Sequence, residues 1–122
     1  MQKYNAKLKS DLRGRCYSFG LDVIEMTNTL PNKRSAWIIT DQLIRSATSV
    51  GANLVEARAS SSRLEYKKFF EISLKSANES HYWLELLRDA KLATPNKIDP
   101  LVDEVSQLAS MIATAVIKLK KK

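Results

Sequence analysis

Apolar residues recur along this chain at the spacing of helix faces, and nowhere is the strict alternation of a half-buried strand sustained. Leu12, Cys16, Phe19, Val23, Met26 and Leu30 follow one another in alternating steps of four and three. That spacing puts them on one side of a helix and predicts helix over about 10–28. Pro31 closes the run, because the residue before a proline is pushed out of the α region. Ile39, Leu43, Ala47, Val50, Leu54 and Ala57 form a second stripe over 35–59, with Ser35 as a candidate N-cap. The pattern breaks at Ala59-Ser60-Ser61-Ser62. Next, Ser62-Arg63-Leu64-Glu65 has the form of a capping box, in which each side chain satisfies an unpaired N–H of the first turn. Tyr66, Phe70, Ser73, Ala77, Ser80, Leu84 and Leu87 carry the third helix across 62–91. After a turn at 92–98, Asp99-Pro100 reads as N-cap and first-turn proline. Leu101, Val105, Leu108, Ile112, Ala115 and Leu119 then predict a fourth helix over 99–120.

Helices of this length joined by short connections pack as antiparallel neighbours. The expected fold is therefore all-α, an antiparallel up-down-up-down four-helix bundle, with residues 1–122 forming a single domain. Gly14, Gly20 and Gly51 all fall inside the expected helices. Each costs about 1 kcal/mol there against alanine, so either the site is a tolerant wet face or another helix approaches closely.

Composition is that of an ordinary globular protein, and no run approaches the 18 or so apolar residues of a membrane span. The opening residues carry charges but lack the apolar segment of a secretory signal. One cysteine, Cys16, cannot pair within the chain, which suits a reducing compartment. Together these point to the cytoplasm. The formal net charge is +7 and is unevenly spread. Residues 1–34 hold seven bases and three acids, residues 35–91 hold eight and seven, and the chain ends Lys118-Leu119-Lys120-Lys121-Lys122. Basic chain ends favour polyanions through counterion release, although a charge of this size alone does not specify a partner.

Motifs of catalysis are missing. The sequence has no Gly-rich phosphate loop, paired CxxC, HExxH or GxSxG, so no catalytic, cofactor-binding or metal residues are assigned. His81 is the sole side chain suited to acid–base work near neutrality, and its position beside the core stripe reads as a boundary residue. Cys16 lies on the core stripe and reads as packing. One residue off the core stripe of the second helix runs a polar one, Gln42, Ser46, Ser49, Asn53 and Glu56, with Ser76 and Glu79 as a partial match on the third. Asn53, Glu56 and Glu79 are expected to form a satisfied polar network that fixes helix register. The aromatics Tyr66, Phe69, Phe70, Tyr82 and Trp83, with Trp37, exceed what one seam needs. They fit either a wide core or a second apolar face that buries against another subunit.

Several segments resemble a known family, the four-helix bundle proteins named after the 23S ribosomal RNA intervening sequences that encode some members. The resemblance rests on Leu30-Pro31, the run Gln42-Leu43-Ile44-Arg45-Ser46-Ala47-Thr48-Ser49-Val50, and Asn53-Leu54-Val55-Glu56-Ala57. It continues in Ser62, Glu65-Tyr66, Ser76-Ala77-Asn78-Glu79-Ser80 and Tyr82-Trp83-Leu84. Where the family has Glu-Gly this chain has Glu56-Ala57, an exchange that would let the second helix run further. The resemblance implies a bacterial antiparallel bundle assembled as a ring-shaped homopentamer, of mostly unknown function and with no catalytic residue set. A similar branch, the accessory proteins of diversity-generating retroelements, binds nucleic acid and a reverse transcriptase through a basic outer surface.

The expectation from sequence and resemblance is a non-catalytic oligomer that binds RNA, DNA or a nucleic-acid enzyme through a basic surface, without a membrane role or cofactor. Lys3, Lys7, Lys9, Arg13 and Arg15, with Lys118, Lys120, Lys121 and Lys122, are its candidate contacts. In a four-span antiparallel bundle both chain ends share one pole. A protein–protein scaffold is the alternative. A small helical RNase is the weakest reading, because no arginine stands four to six residues before His81.

Overall fold

A computed structural model describes residues 11–121, which form four helices: α1 (Leu12–Thr27), α2 (Arg34–Arg58), α3 (Arg63–Asp89) and α4 (Pro95–Lys120). Among the described residues there is no strand. Each helix packs on its two neighbours in the ring order α1, α2, α3, α4. Cross-helix contacts fix the directions. Gly51 of α2 lies against Cys16, and Gly20 lies against Thr48. Ser46 meets Ser80 and Ser49 meets Ser76. Arg63 reaches the carbonyl of Leu119, whereas Arg88 reaches Asp99. In every pair, rising numbers on one helix meet falling numbers on the next, so the bundle runs up, down, up, down.

The core is drawn mostly from the stripes visible in the sequence, with Ala36, Ile98 and Val116 added and Tyr66 left out. Phe19 and Val23 from α1, Leu43 and Val50 from α2, Leu84 and Leu87 from α3, and Ile98, Val105, Leu108 and Ile112 from α4 are all essentially inaccessible to solvent. By length and composition alone α4 could cross a membrane. However, its buried stripe lies in this core, and Asp103 and Glu104 lie on its length.

Helix ends follow local chemistry, with three departures from the expected positions. Asp11 caps α1 by accepting from the Gly14 N–H at 2.7 Å. Ser62 caps α3 by accepting from Glu65 N at 3.1 Å. The reciprocal arm of that box is displaced by one residue, since Glu65 Oε1 accepts from Ser61 N rather than from Ser62. Ser35 does not cap α2. The carbonyl of Lys33 already accepts from Trp37 N at 3.1 Å, so the helix starts at Arg34 and Lys33 is the N-cap, without a side-chain bond.

The largest departure is α4, which begins at Pro95 instead of Asp99, leaving Pro100 inside it. Ile98 explains the difference. It stands three residues before Leu101 on the same stripe and is fully buried, so helix is favoured a turn earlier. Pro100 withdraws the one N–H that would have bonded the Asn96 carbonyl, and both residues are exposed, where water can replace it. The α3–α4 turn is closed by a Schellman motif. Lys91 adopts φ 62°, Leu92 N donates to Leu87 O at 3.0 Å and Lys91 N to Arg88 O at 3.0 Å.

The α2–α3 seam is lined by small side chains. Ser73, fully buried, donates to the Val50 carbonyl at 2.7 Å. Ser46 Oγ lies 2.8 Å from Ser80 Oγ, which itself donates to Ser76 O at 2.8 Å. Ser76 donates to Ser49 at 3.1 Å. Of the residues expected in a polar network, Asn53 joins this ladder, because Ser49 Oγ accepts from both Asn53 and Ser76. Asn53 donates back to Ser49 of its own helix at 2.8 Å, and Glu56 is exposed. The Glu79 side chain is 41% exposed and accepts from the Trp83 indole at 2.9 Å, with Arg45 at 4.0 Å. Serines suit such a seam, because a serine hydroxyl is short and can turn to a carbonyl on either helix.

Candidate nucleic-acid interface

One pole of the bundle is formed by the start of α1, the α2–α3 turn and the end of α4. Arg13 comes from α1, Arg58 from the last turn of α2, Arg63, Lys67 and Lys68 from the start of α3, and Lys118, Lys120 and Lys121 from the end of α4. Most are exposed, with Arg13 and Lys67 half-buried. Two link the helices of the pole: Arg63 donates to Leu119 O at 3.2 Å, and Lys120 pairs with Glu71 at 3.9 Å. The opposite pole mixes signs. There Arg88 is bound to Asp89 and Asp99, with Glu85 at 3.8 Å, and carboxylate hydrogen bonds hold its guanidinium above the usual arginine range.

Of the bases expected from sequence, Arg13, Lys118, Lys120 and Lys121 lie at this basic pole, and Lys3, Lys7, Lys9 and Lys122 lie outside the described residues. Arg15, also expected there, is tied to α4. Its guanidinium grips Glu104 with two nitrogens, at 3.0 and 2.7 Å, and donates to Gln107 at 2.9 Å. The hydrogen bond to Glu104 raises its pKa and joins α1 to α4. Arg58, Arg63, Lys67 and Lys68 were hidden in the charge-balanced middle of the sequence. The signal that finds them is topological, because the second turn of an up-down bundle lies at the same end as both termini.

Between α1, α2 and α3 this pole opens into a cleft of about 410 Å³ lined by Asp11, Leu12, Arg13, Leu54, Arg58, Tyr66 and Phe70. Tyr66 and Phe70 stack with ring centroids 4.9 Å apart and planes inclined by 26°. Phe70 is buried, whereas Tyr66, also expected on the core stripe, is 37% exposed.

Elsewhere, chemistry is sparse. His81 Nδ1 lies 3.3 Å from Glu85 on the same helix. Cys16 is fully buried, and burial pushes its thiol up to about 12, which keeps it protonated and unreactive at neutral pH. Among the described residues, no three His, Cys, Asp or Glu side chains gather as a metal site. A different feature is the groove of about 330 Å³ between α1 and α2, floored by Gly20, Gly51 and Thr48 and rimmed by Tyr17, Leu21, Ile24 and Val55. Those four rim side chains are large, apolar and exposed.

Residues 9–114, spanning all of α1 to α3 and most of α4, match the family described as 23S rRNA-intervening sequence protein. The chain belongs to that family. A similar solved structure is a Bacteroides thetaiotaomicron protein of unknown function from the S23 ribosomal protein family, with TM-score 0.81 and 26% identity. The alignment covers 87% of this chain and 98% of that one. No curated protein matches. The family match takes in Arg13, Arg58, Arg63, Lys67 and Lys68 and stops short of Lys118, Lys120 and Lys121. The basic α4 terminus therefore lies beyond the matched segment.

Proposed function

We propose that this member of the family is a non-catalytic, self-associating, cytoplasmic protein of bacteria that binds nucleic acid through its basic pole. The observation that carries the reading is the convergence of bases from all four helices on one end, where eight of them outnumber Asp11, Glu56, Glu65 and Glu71, against a nearer balance of signs at the other. Such a surface holds phosphates by charge and has no element for reading base edges, so binding is weakly sequence-selective and steeply salt-dependent. Self-association is supported by the exposed apolar rim of the α1–α2 groove, which a second copy can cover. Five copies in a ring, the assembly expected from the family resemblance, would carry about +35 and multiply a moderate field. The non-catalytic reading rests on an inert Cys16 and on a His81 whose close charged neighbour is Glu85 on its own helix.

The test is a salt titration of binding to mixed-sequence RNA and DNA. Log affinity should fall linearly with log salt concentration. No binding at about 50 mM salt, where the counterion contribution is strong, would refute the reading. The apolar groove would then favour a protein–protein scaffold, including one for an enzyme that acts on nucleic acid.

A further inference from the structure

The cleft at the basic pole combines two features that a plain phosphate-binding surface does not need. The first is a stacked, partly exposed aromatic ring in its lining. Phe70 stacks on one face of Tyr66, while Tyr66 stays 37% exposed and lines the cleft. An exposed ring loses hydration-free contact that burial would give it, so a partner with a flat face is favoured there. The second is a pair of cations on the same walls. Arg13 and Arg58 line the cleft, and neither makes an ion pair with a described residue. The acid in the cleft, Asp11, is engaged by the Gly14 N–H at 2.7 Å.

From this juxtaposition we infer that the cleft takes an unpaired base of single-stranded nucleic acid, stacked on Tyr66, with the flanking phosphates held by Arg13 and Arg58. The inference rests on the basic pole being a nucleic-acid surface and adds which form of nucleic acid it selects. In a duplex the base faces are already stacked on one another, and a single ring cannot reach them. Every unpaired base offers a π-face, so stacking selects single strands without selecting sequence. The arginines supply the salt-dependent part of binding, and Tyr66 supplies a part that salt does not screen.

The experiment measures binding of the full chain to a labelled RNA strand of about 12 nucleotides, a length suited to a strand-binding groove, and to the duplex of the same strand. The strand should bind roughly 10-fold more tightly than the duplex at equal salt, as expected for one base–aromatic stack. Tyr66→Leu, which keeps an apolar cover over Phe70 but removes the ring, should lose about that factor without changing the salt slope. Tyr66→Phe should retain binding. Arg58→Ala should instead lower the salt slope by about one. Equal binding of strand and duplex, or a Tyr66→Leu variant that binds strand like the unaltered protein, overturns the stacking site and leaves the basic pole standing. Loss of all binding at about 50 mM salt overturns both. If Tyr66→Leu fails to fold by circular dichroism, the strand–duplex comparison on the unaltered protein decides alone.

Discussion

Ser73 is the most informative single position in the α2–α3 seam. Its hydroxyl donates across the interface to the Val50 carbonyl at 2.7 Å, and the residue has no solvent exposure. Ser73→Ala removes that bond while leaving the Val50 carbonyl its own place in the α2 backbone ladder. Only a net hydrogen bond is lost, about 1 kcal/mol, and no new buried group is orphaned. Ser73→Val loses the same bond and adds carbon where the helices already touch, which costs a further 1–3 kcal/mol or so from overpacking. For a domain of this size 1 kcal/mol moves Tm by roughly 4 °C. Thermal melts followed by circular dichroism should therefore show a fall of roughly 4 °C for Ser73→Ala and about 8–16 °C for Ser73→Val. Equal, small shifts for both would mean that the seam has room, and the close approach inferred from its serines would be wrong.

Three further outcomes follow from other parts of the bundle. A Cβ on Gly20 would meet nothing nearer than Thr48 Cγ2 at 3.9 Å, so Gly20→Ala should raise stability by up to about 1 kcal/mol through helix propensity. A Cβ on Gly51 would lie 3.3 Å from Cys16 Cβ, so denaturant melts should show Gly51→Ala gaining less than Gly20→Ala, and an equal gain would refute the tight contact. Cys16 is raised from 9.0 to about 12 in the fold, so above pH 9 the unfolded chain loses a thiol proton that the native one keeps. Stability should thus be complete below pH 9 and fall by about 1.4 kcal/mol per unit towards pH 12. Cys16→Ala should flatten that slope, and an unchanged alkaline slope would contradict it. Light scattering at micromolar concentration should give a mass several times that of one chain, reduced by Leu21→Glu on the α1–α2 groove. A monomer mass for the unaltered protein would remove the ring and its multiplied charge.

Much of the fold is legible in the order of residues alone. Four stripes with alternating steps of three and four are sufficient for four helices, because a helix must turn its apolar side one way and bury it. Local signals also place some ends: Ser62 before Glu65 marks the start of α3, and Pro31 follows the end of α1. Short connections then leave little topology to choose beyond up-down-up-down. What local reading misses is competition between a cap and the core. Asp99-Pro100 is a good helix start by itself, but burial of Ile98 outweighs it and α4 begins at Pro95.

The candidate site divides along the same line. Sequence by itself determined that both chain ends are basic, that the helical stripes pack as a bundle and that no catalytic motif is present. Only the tertiary structure decided which charges act together. It put Arg58, Arg63, Lys67 and Lys68 beside the basic end of α4 and withdrew Arg15 into its grip on Glu104. It built the polar part of the α2–α3 seam from serines, with Asn53 joined to them through Ser49 and Glu56 left exposed. It also left Tyr66 partly exposed beside Arg13 and Arg58 at the cleft. The reason is physical. Periodicity records which side of a helix is apolar, a property of neighbours along the chain. Charge pairing, close approach and exposure depend on distances between residues far apart in sequence, and packing sets those distances.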